Sequence, residues 1–277
     1  MKKVLLGGVA LITLGFVGSA VAADMPIKAP VVVSNSWTGV YLGIDFGGVR
    51  GMNSSQSFGQ SPDPILNPAG IVFDPVSFNN QKHWGGIGGV HGGYNWALSP
   101  SWVVGAEVDW NIASLGNTPG QQFLTSTGAG IPPCVGGVVG PGLCHALMMS
   151  NNLNWTASAR AKIGYTFGSM MLYATGGGAW ASEEFSGQVA AGNFFTSTIA
   201  TSQNKFSSGW VAGGGIELMA TANWLVRLEY LHYSFNSGNS ATVACTSCVF
   251  GILAGSGTYT WGNSSLDVLR GGLSYKF

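Results

Sequence analysis

Apolar and polar residues alternate with a period of two in eight stretches of the 277-residue chain, over about residues 37–49, 83–97, 101–113, 152–167, 170–182, 207–219, 223–235 and 265–277. Alternation of this length predicts β-strands with one apolar and one polar face. In 101–113 one face carries Trp102, Val104, Ala106, Val108, Trp110 and Ile112, and the other Val103, Gly105, Glu107, Asp109 and Asn111. In 152–167, Trp155, Ala157, Ala159, Ala161, Ile163, Tyr165 and Phe167 oppose Asn154, Thr156, Ser158, Arg160 and Lys162. In 223–235, Trp224, Val226, Leu228 and Tyr230 oppose Leu225, Arg227 and Glu229. Val40, Leu42, Ile44 and Phe46 oppose Tyr41, Gly43 and Asp45, and Glu217 lies opposite Trp210, Ile216 and Leu218. In the last stretch Leu269, Leu273, Tyr275 and Phe277 oppose Arg270, Ser274 and Lys276. The glycine-rich stretches 83–97 and 170–182 take their facing mainly from Trp84, Val90, Tyr94, Trp96 and Trp180.

The connections alternate in length. Leu98 to Pro100, Gly168–Ser169 and Ala220 to Ala222 are tight turns, whereas 50–82, 114–151, 183–206 and 236–264 are long and rich in Gly, Ser, Asn and Pro. Short turns on one side and long loops on the other predict an all-β fold. The expected architecture is an eight-stranded antiparallel transmembrane up-and-down β-barrel with short periplasmic turns and four long extracellular loops. The charges decide which face meets lipid. A basic side chain on the lipid face costs roughly 2–4 kcal/mol at the bilayer midplane. Turning Arg160, Lys162, Arg227 and Arg270 outward would cost on the order of 10 kcal/mol, comparable with a whole domain's stability of ~5–15 kcal/mol. The charges therefore face the lumen. The outward aromatics fall at strand ends and form two girdles at headgroup level. Trp96, Trp102, Phe167, Trp224, Tyr275 and Phe277 lie toward the turns, and Trp110, Trp155, Trp180 and Trp210 toward the loops. A soluble β-sandwich would leave the apolar outer face of every strand uncovered.

Composition supports this picture. Charged residues are 8% of the chain, against roughly 25% in a soluble domain, too few to cover a soluble surface. Beyond the N-terminus no run of 18 apolar residues predicts a spanning helix. The N-terminus itself reads as a secretory signal peptide over 1–22: Lys2 and Lys3, an apolar run from Val4 to Val17, and the small-residue site Ala20-Val21-Ala22. Residues 23–36 read as a periplasmic leader and 37–277 as the barrel. Without Lys2 and Lys3 the eleven basic residues fall to nine, against eleven acidic. No basic stripe points to nucleic acid.

Candidate chemistry is sparse. The inward charges are Asp45, Glu107, Asp109, Glu217 and Glu229 against Arg160, Lys162, Arg227, Arg270 and Lys276. Eight strands enclose an interior just wide enough for side chains to fill, so these ten predict a salt-bridged plug; the alternative is a conducting constriction. Cys134, Cys144, Cys245 and Cys248 belong to an oxidising compartment, which predicts disulfides. Of the three connectivities the within-loop pairs 134–144 and 245–248 are favoured, over a zinc site that would add His145. Neither a metal nor another cofactor is expected. His232, Ser234 and Asp267 share outward parity near the loop side. Pairing the last two strands about residue 249 sets Asp267 opposite His232. The trio resembles the Ser–His–acid arrangement of the lipid A deacylase barrels, with Asp where those carry Glu. Its bland counterpart is rim polarity, and no catalytic residue is assigned. G-x-S-x-G, H-E-x-x-H, P-loop and EF-hand patterns are absent from the sequence. The glycine clusters of the strands read as bends and close strand approach.

Three pieces carry a family likeness: WTGVYLG (Trp37 to Gly43), VRLEYLHYSF (Val226 to Phe235) and VLRGGLSYKF (Val268 to Phe277). Over its whole length the chain resembles the alphaproteobacterial outer membrane immunogenic proteins, the opacity-like eight-stranded barrels of the porin family. The resemblance implies an outer-membrane location, insertion by the barrel-assembly machinery with Phe277 as part of the signal, and envelope or host-contact roles. The expected partners are outer-membrane lipid and lipopolysaccharide, the assembly machinery, and a host or surface ligand at the loops. A small-solute pore, a loop-borne adhesin and a lipid A deacylase are the alternatives to a non-enzymatic envelope protein.

Overall fold

The structure is a computed structural model that describes residues 36–62, 72–73, 76–115, 120–124, 126–127, 145–190, 199–245 and 255–277. The expected signal peptide and all but the last residue of the leader lie outside the described residues. Eight long strands form the wall: β1 Gly39–Pro62, β2 Val76–Ala97, β3 Trp102–Leu115, β4 His145–Phe167, β5 Met170–Ala190, β6 Ile199–Met219, β7 Trp224–Phe235 and β8 Ser264–Lys276. Each is antiparallel to the next, and β1 pairs with both β2 and β8, which closes the sheet.

Three tight turns join the strands at one end. Leu98 N–H donates to the Trp102 carbonyl at 2.8 Å, and Ala220 N–H to that of Trp224 at 2.9 Å. Between β4 and β5, Gly168 takes a φ of +64°, the left-handed conformation that a two-residue hairpin loop requires. From Arg50 the pairings run through Asp267, His232, Ala212, Gly176, Ala161, Ala106 and Tyr94 and return to Val40. One circuit thus shifts the register from residue 50 to residue 40. A stagger of that size over eight strands tilts them by about 40° from the barrel axis.

The tilt and the period-two facing produce a continuous apolar band on the outside. Leu42, Ile44, Phe46, Val108, Ile112, Ile163, Leu172, Leu228 and Leu269 are all more than half exposed. So broad an apolar surface is stable only against lipid. No helix of the described residues is long and apolar enough to cross a membrane; the strands are the crossing elements.

The long connections differ from the expectation of loops. β1 continues to Pro62, β4 begins at His145, β5 reaches Ala190 and β6 begins at Ile199. A further hairpin, Asn239–Cys245 with Gly255–Trp261, pairs onto the outer part of β1, and Gly120–Leu124 pairs onto that of β4. The physical reason is an inversion of polarity along the strand. Within the band β5 turns Leu172 and Trp180 outward; beyond it the outward positions are Ser182, Glu184, Ser186 and Gln188, while Phe185 and Val189 are buried inside. Past the headgroups water lies outside, so the apolar face changes sides, and a pattern sought as apolar-outward ends at Trp180.

The interior is layered. At the turn end Trp37, Val103, Met171, Met219 and Leu225 pack together with Tyr41 and Tyr173. Toward the loops Val49, Ile87, Leu153, Val211, Leu231, Leu266 and Val268 pack beneath Tyr233 and Phe235. Farther out, Phe58 meets Tyr259 at 4.9 Å between ring centroids and Phe185 meets Trp261 at 5.5 Å. The inversion predicts a labelling pattern in intact outer membranes. A Gln188→Cys or Glu184→Cys variant reacts with a membrane-impermeant maleimide above the background of the unsubstituted protein. A Leu172→Cys variant, outward on the same strand, stays at background.

Candidate functional site

The charged residues predicted for the lumen lie between the two apolar layers. Arg160 pairs with Glu107, with Asp109 at 3.0 Å and with Glu229 at 2.9 Å. Arg227 donates from Nη1 to Glu107 at 2.6 Å and from Nη2 to both oxygens of Asp45 at 2.9 Å. Arg270 donates from Nε to Glu229 at 2.8 Å and from Nη1 to Asn111 at 3.3 Å, and its Nη2 lies 3.5 Å from Asp109. Lys162 binds Glu217 at 3.1 Å and sits 4.9 and 5.0 Å from the ring centres of Tyr41 and Tyr173. The side chains of Arg160, Arg270 and Asp109 are 0% exposed, so each charge depends on its partners rather than on water.

Two members differ from the expectation. Lys276 is buried, but its Nζ donates to the Ser36 carbonyl, and no carboxylate among the described residues pairs with it. It lies at the end of β8, too near the turn-side mouth to reach the carboxylates. In the network itself stands His91, with Nδ1 2.8 Å from Asp45 and Nε2 2.6 Å from the Ser274 hydroxyl. Its parity is opposite to that of Val90, Tyr94 and Trp96, so the sequence carried the signal, masked by the surrounding glycines.

Those glycines have a second role besides strand approach. Gly272 pairs with Asp45 on one side and Arg227 on the other, and the two charges meet across it. Gly43 separates His91 from Ser274, Gly93 separates Tyr41 from Glu107, and Gly215 separates Tyr173 from Glu229. Each flanking pair is hydrogen-bonded, Tyr41 to Glu107 at 2.8 Å and Tyr173 to Glu229 at 3.1 Å. A methyl group at Gly272 would lie 2.5 Å from the Asp45 carboxylate and 2.8 Å from Arg227 Nε. The missing side chain is the space in which partners two strands apart touch.

Above the inner apolar layer, Glu183 is buried. It accepts from Ser264, from Ser207 at 3.0 Å and from Asn151 at 3.2 Å. A cavity of about 10 Å³ beside it, bordered by Gly51, Leu153 and Leu266, has room for roughly one water. Reading 183–206 as a loop hid this ring of hydroxyls. Farther out still, burial pushes the Tyr259 hydroxyl well above the ordinary phenol range.

The predicted girdle aromatics face outward. Trp96, Trp102, Phe167, Trp224, Tyr275 and Phe277 are exposed toward the turns, and Trp110, Trp180 and Trp210 toward the loops. Trp155 is half-buried against Phe206, their ring centres 6.0 Å apart. At the outer rim His232 and Asp267 pair across β7 and β8, with His232 Nδ1 2.8 Å from Asp267 Oδ1. That same oxygen accepts from the Tyr230 hydroxyl at 2.8 Å. Ser234 pairs in register with Ser265 and Trp210, and no hydrogen bond joins it to His232. Cys134, Cys144 and Cys248 lie outside the described residues, and Cys245 is described only as the end of its strand.

Comparison with known proteins agrees with this geometry. A family model described as outer membrane protein beta-barrel domain matches residues 9–277. The 31 kDa outer-membrane immunogenic protein of Brucella melitensis is 28% identical over the whole of both chains. The 22 kDa outer membrane protein of Rhizobium leguminosarum is 26% identical over 76% of this chain and 70% of its own. Among solved structures, the outer membrane protease OmpT of Escherichia coli covers 86% of this chain and 97% of its own, with a TM-score of 0.45 and 9% identity, a likeness too loose to transfer chemistry.

Two variants and a control test the packed lumen. Arg227→Ala takes the bidentate cation from Asp45 and one of the two arginines from Glu107 and lowers stability by about 3–5 kcal/mol, read as a lower melting temperature of the detergent-folded barrel. Gly272→Ala costs about 1–3 kcal/mol through overpacking. Gly86→Ala, where an added methyl group meets nothing within 4 Å, leaves the melting curve unchanged. Equal effects at the two glycines would refute the spacing argument.

Proposed function

The chain belongs to the outer membrane β-barrel protein family, and from that premise we propose that it is a closed, non-enzymatic barrel that braces the envelope and presents an extracellular surface. The filled lumen carries this reading. Arginine and carboxylate side chains with no solvent exposure span it between two apolar layers. An ion would have to displace paired charges and pass two layers lined mainly by apolar side chains. The relatives named outer-membrane immunogenic proteins support display of the exposed strand extensions and loops to the surroundings. At the rim, the Asp267 carboxylate is shared between Tyr230 and His232, and Ser234 stands apart from the imidazole. That arrangement lacks the serine–histidine contact of an activated nucleophile, so the rim is read as binding surface rather than hydrolase. Insertion by the assembly machinery through the closing strand, ending at Phe277, belongs to the same proposal.

Planar-bilayer recording tests it. Wild-type barrel gives no sustained openings in molar salt. Steady single-channel currents from pure, heat-modifiable protein would overturn the closed reading in favour of a small-solute pore.

A further inference from the structure

A row of side chains crosses the outward surface at the outer rim. In register it runs Trp84, Arg50, Asp267, His232, over β2, β1, β8 and β7. Among the described side chains Arg50 is the one arginine or lysine of outward parity. Its guanidinium carbon lies 5.3 Å from the Trp84 ring centre, and the Trp210 ring lies 5.6 Å from His232. Girdle-type rings therefore bracket the row at headgroup level.

Asp267 is the direct cross-strand neighbour of Arg50, yet the two do not form an ion pair within 4.0 Å. The carboxylate instead takes Tyr230 and His232 as donors. Arg50 Nε is buried without a hydrogen-bond partner, so contact with an outside ligand falls to the Nη groups. A cation stacked on indole at the membrane surface, with its nearest carboxylate engaged elsewhere, is left to face whatever lies among the headgroups. A guanidinium forks onto phosphate oxygens through parallel N–H bonds, which is the strongest contact open to it there.

Below the row the surface is shaped for a chain. Gly48 and Gly86 pair side by side on the outward face, and a methyl group added to either would meet nothing within 4 Å. They form an open trough beneath Arg50 and Trp84, continued by Phe46 and Leu269, which are 69% and 56% exposed. A charged head above an apolar trough matches one lipid, not a soluble anion.

We propose that Arg50, braced by Trp84 above the Gly48–Gly86 trough, binds the headgroup phosphate of an outer-leaflet glycolipid. The site rests on the outer-membrane placement and is independent of whether the lumen conducts.

Full-length barrel folded in detergent is mixed with diphosphoryl lipid A or with the same lipid stripped of phosphate, and bound lipid is counted by native mass spectrometry. The phosphorylated lipid binds about tenfold better, and Arg50→Gln removes that preference while Arg50→Lys keeps part of it, as expected for a charge-assisted fork. Gly48→Leu fills the trough and weakens both lipids, and supplies a second variant should Arg50→Gln fail to show the heat-dependent gel shift of a folded barrel. Millimolar inorganic phosphate does not displace the lipid. Equal binding of the two lipids by wild-type protein, undiminished binding by Arg50→Gln, or displacement by inorganic phosphate would each overturn the assignment.

Discussion

A charge taken out of water costs several kcal/mol unless partners surround it, and the ion-pair network of this lumen buries nine, with Glu183 and Lys276 buried apart from it. Period two places successive inward residues apart along the barrel, so most partners come from other strands. Adjacent strands give Arg160–Glu107 and Arg270–Glu229. The far wall gives the Arg160–Glu229 contact, and strands two apart give the contacts that pass over glycine. The same demand fixes the facing of every strand. A slip of one residue would send arginines into lipid and leave carboxylates without donors. Closure, facing and the high glycine content are thus consequences of one requirement.

The bilayer imposes the second organising feature. Within the band the strand is polar inside and apolar outside, and beyond the outer girdle the order reverses. The reversal lets the strands continue past the headgroups as an ordinary water-facing sheet around an apolar interior. Phe58, Phe185, Tyr259 and Trp261 pack in that interior, so aromatic contacts add to the ion pairs along the lumen. The proposed extracellular display then rests on paired strand extensions as well as on loops.

The strand faces were legible in the sequence because lipid penalises error so heavily: Arg160, Arg227 and Arg270 admit one facing. The His232–Asp267 pairing was legible too, since a symmetric hairpin fixes its register. His91 was not picked out because glycines on both sides flatten the alternation that reveals facing. The Glu183 ring and the strand extensions escape an apolar-outward pattern because the chain changes solvent midway. Lys276 shares the parity of the network but not its depth. Parity gives the face, whereas depth along a tilted strand decides which partners are in reach.

The rim differs from the lumen in how its charges are held. Inside, each of the three arginines meets at least two carboxylates, although Arg160 Nε and Glu217 Oε1 keep no hydrogen-bond partner. Outside, Arg50 has an aromatic brace, an engaged carboxylate for a neighbour and an open trough beneath. A lipid-facing arginine near the interface is tolerated at about 0–1 kcal/mol, so folding alone does not require a partner for it. Stability therefore explains the inner charges fully and the outer one only as harmless. What distinguishes Arg50 from a harmless rim residue is the conjunction of stacked cation and empty apolar trough, which a phosphate-bearing lipid fills at both ends.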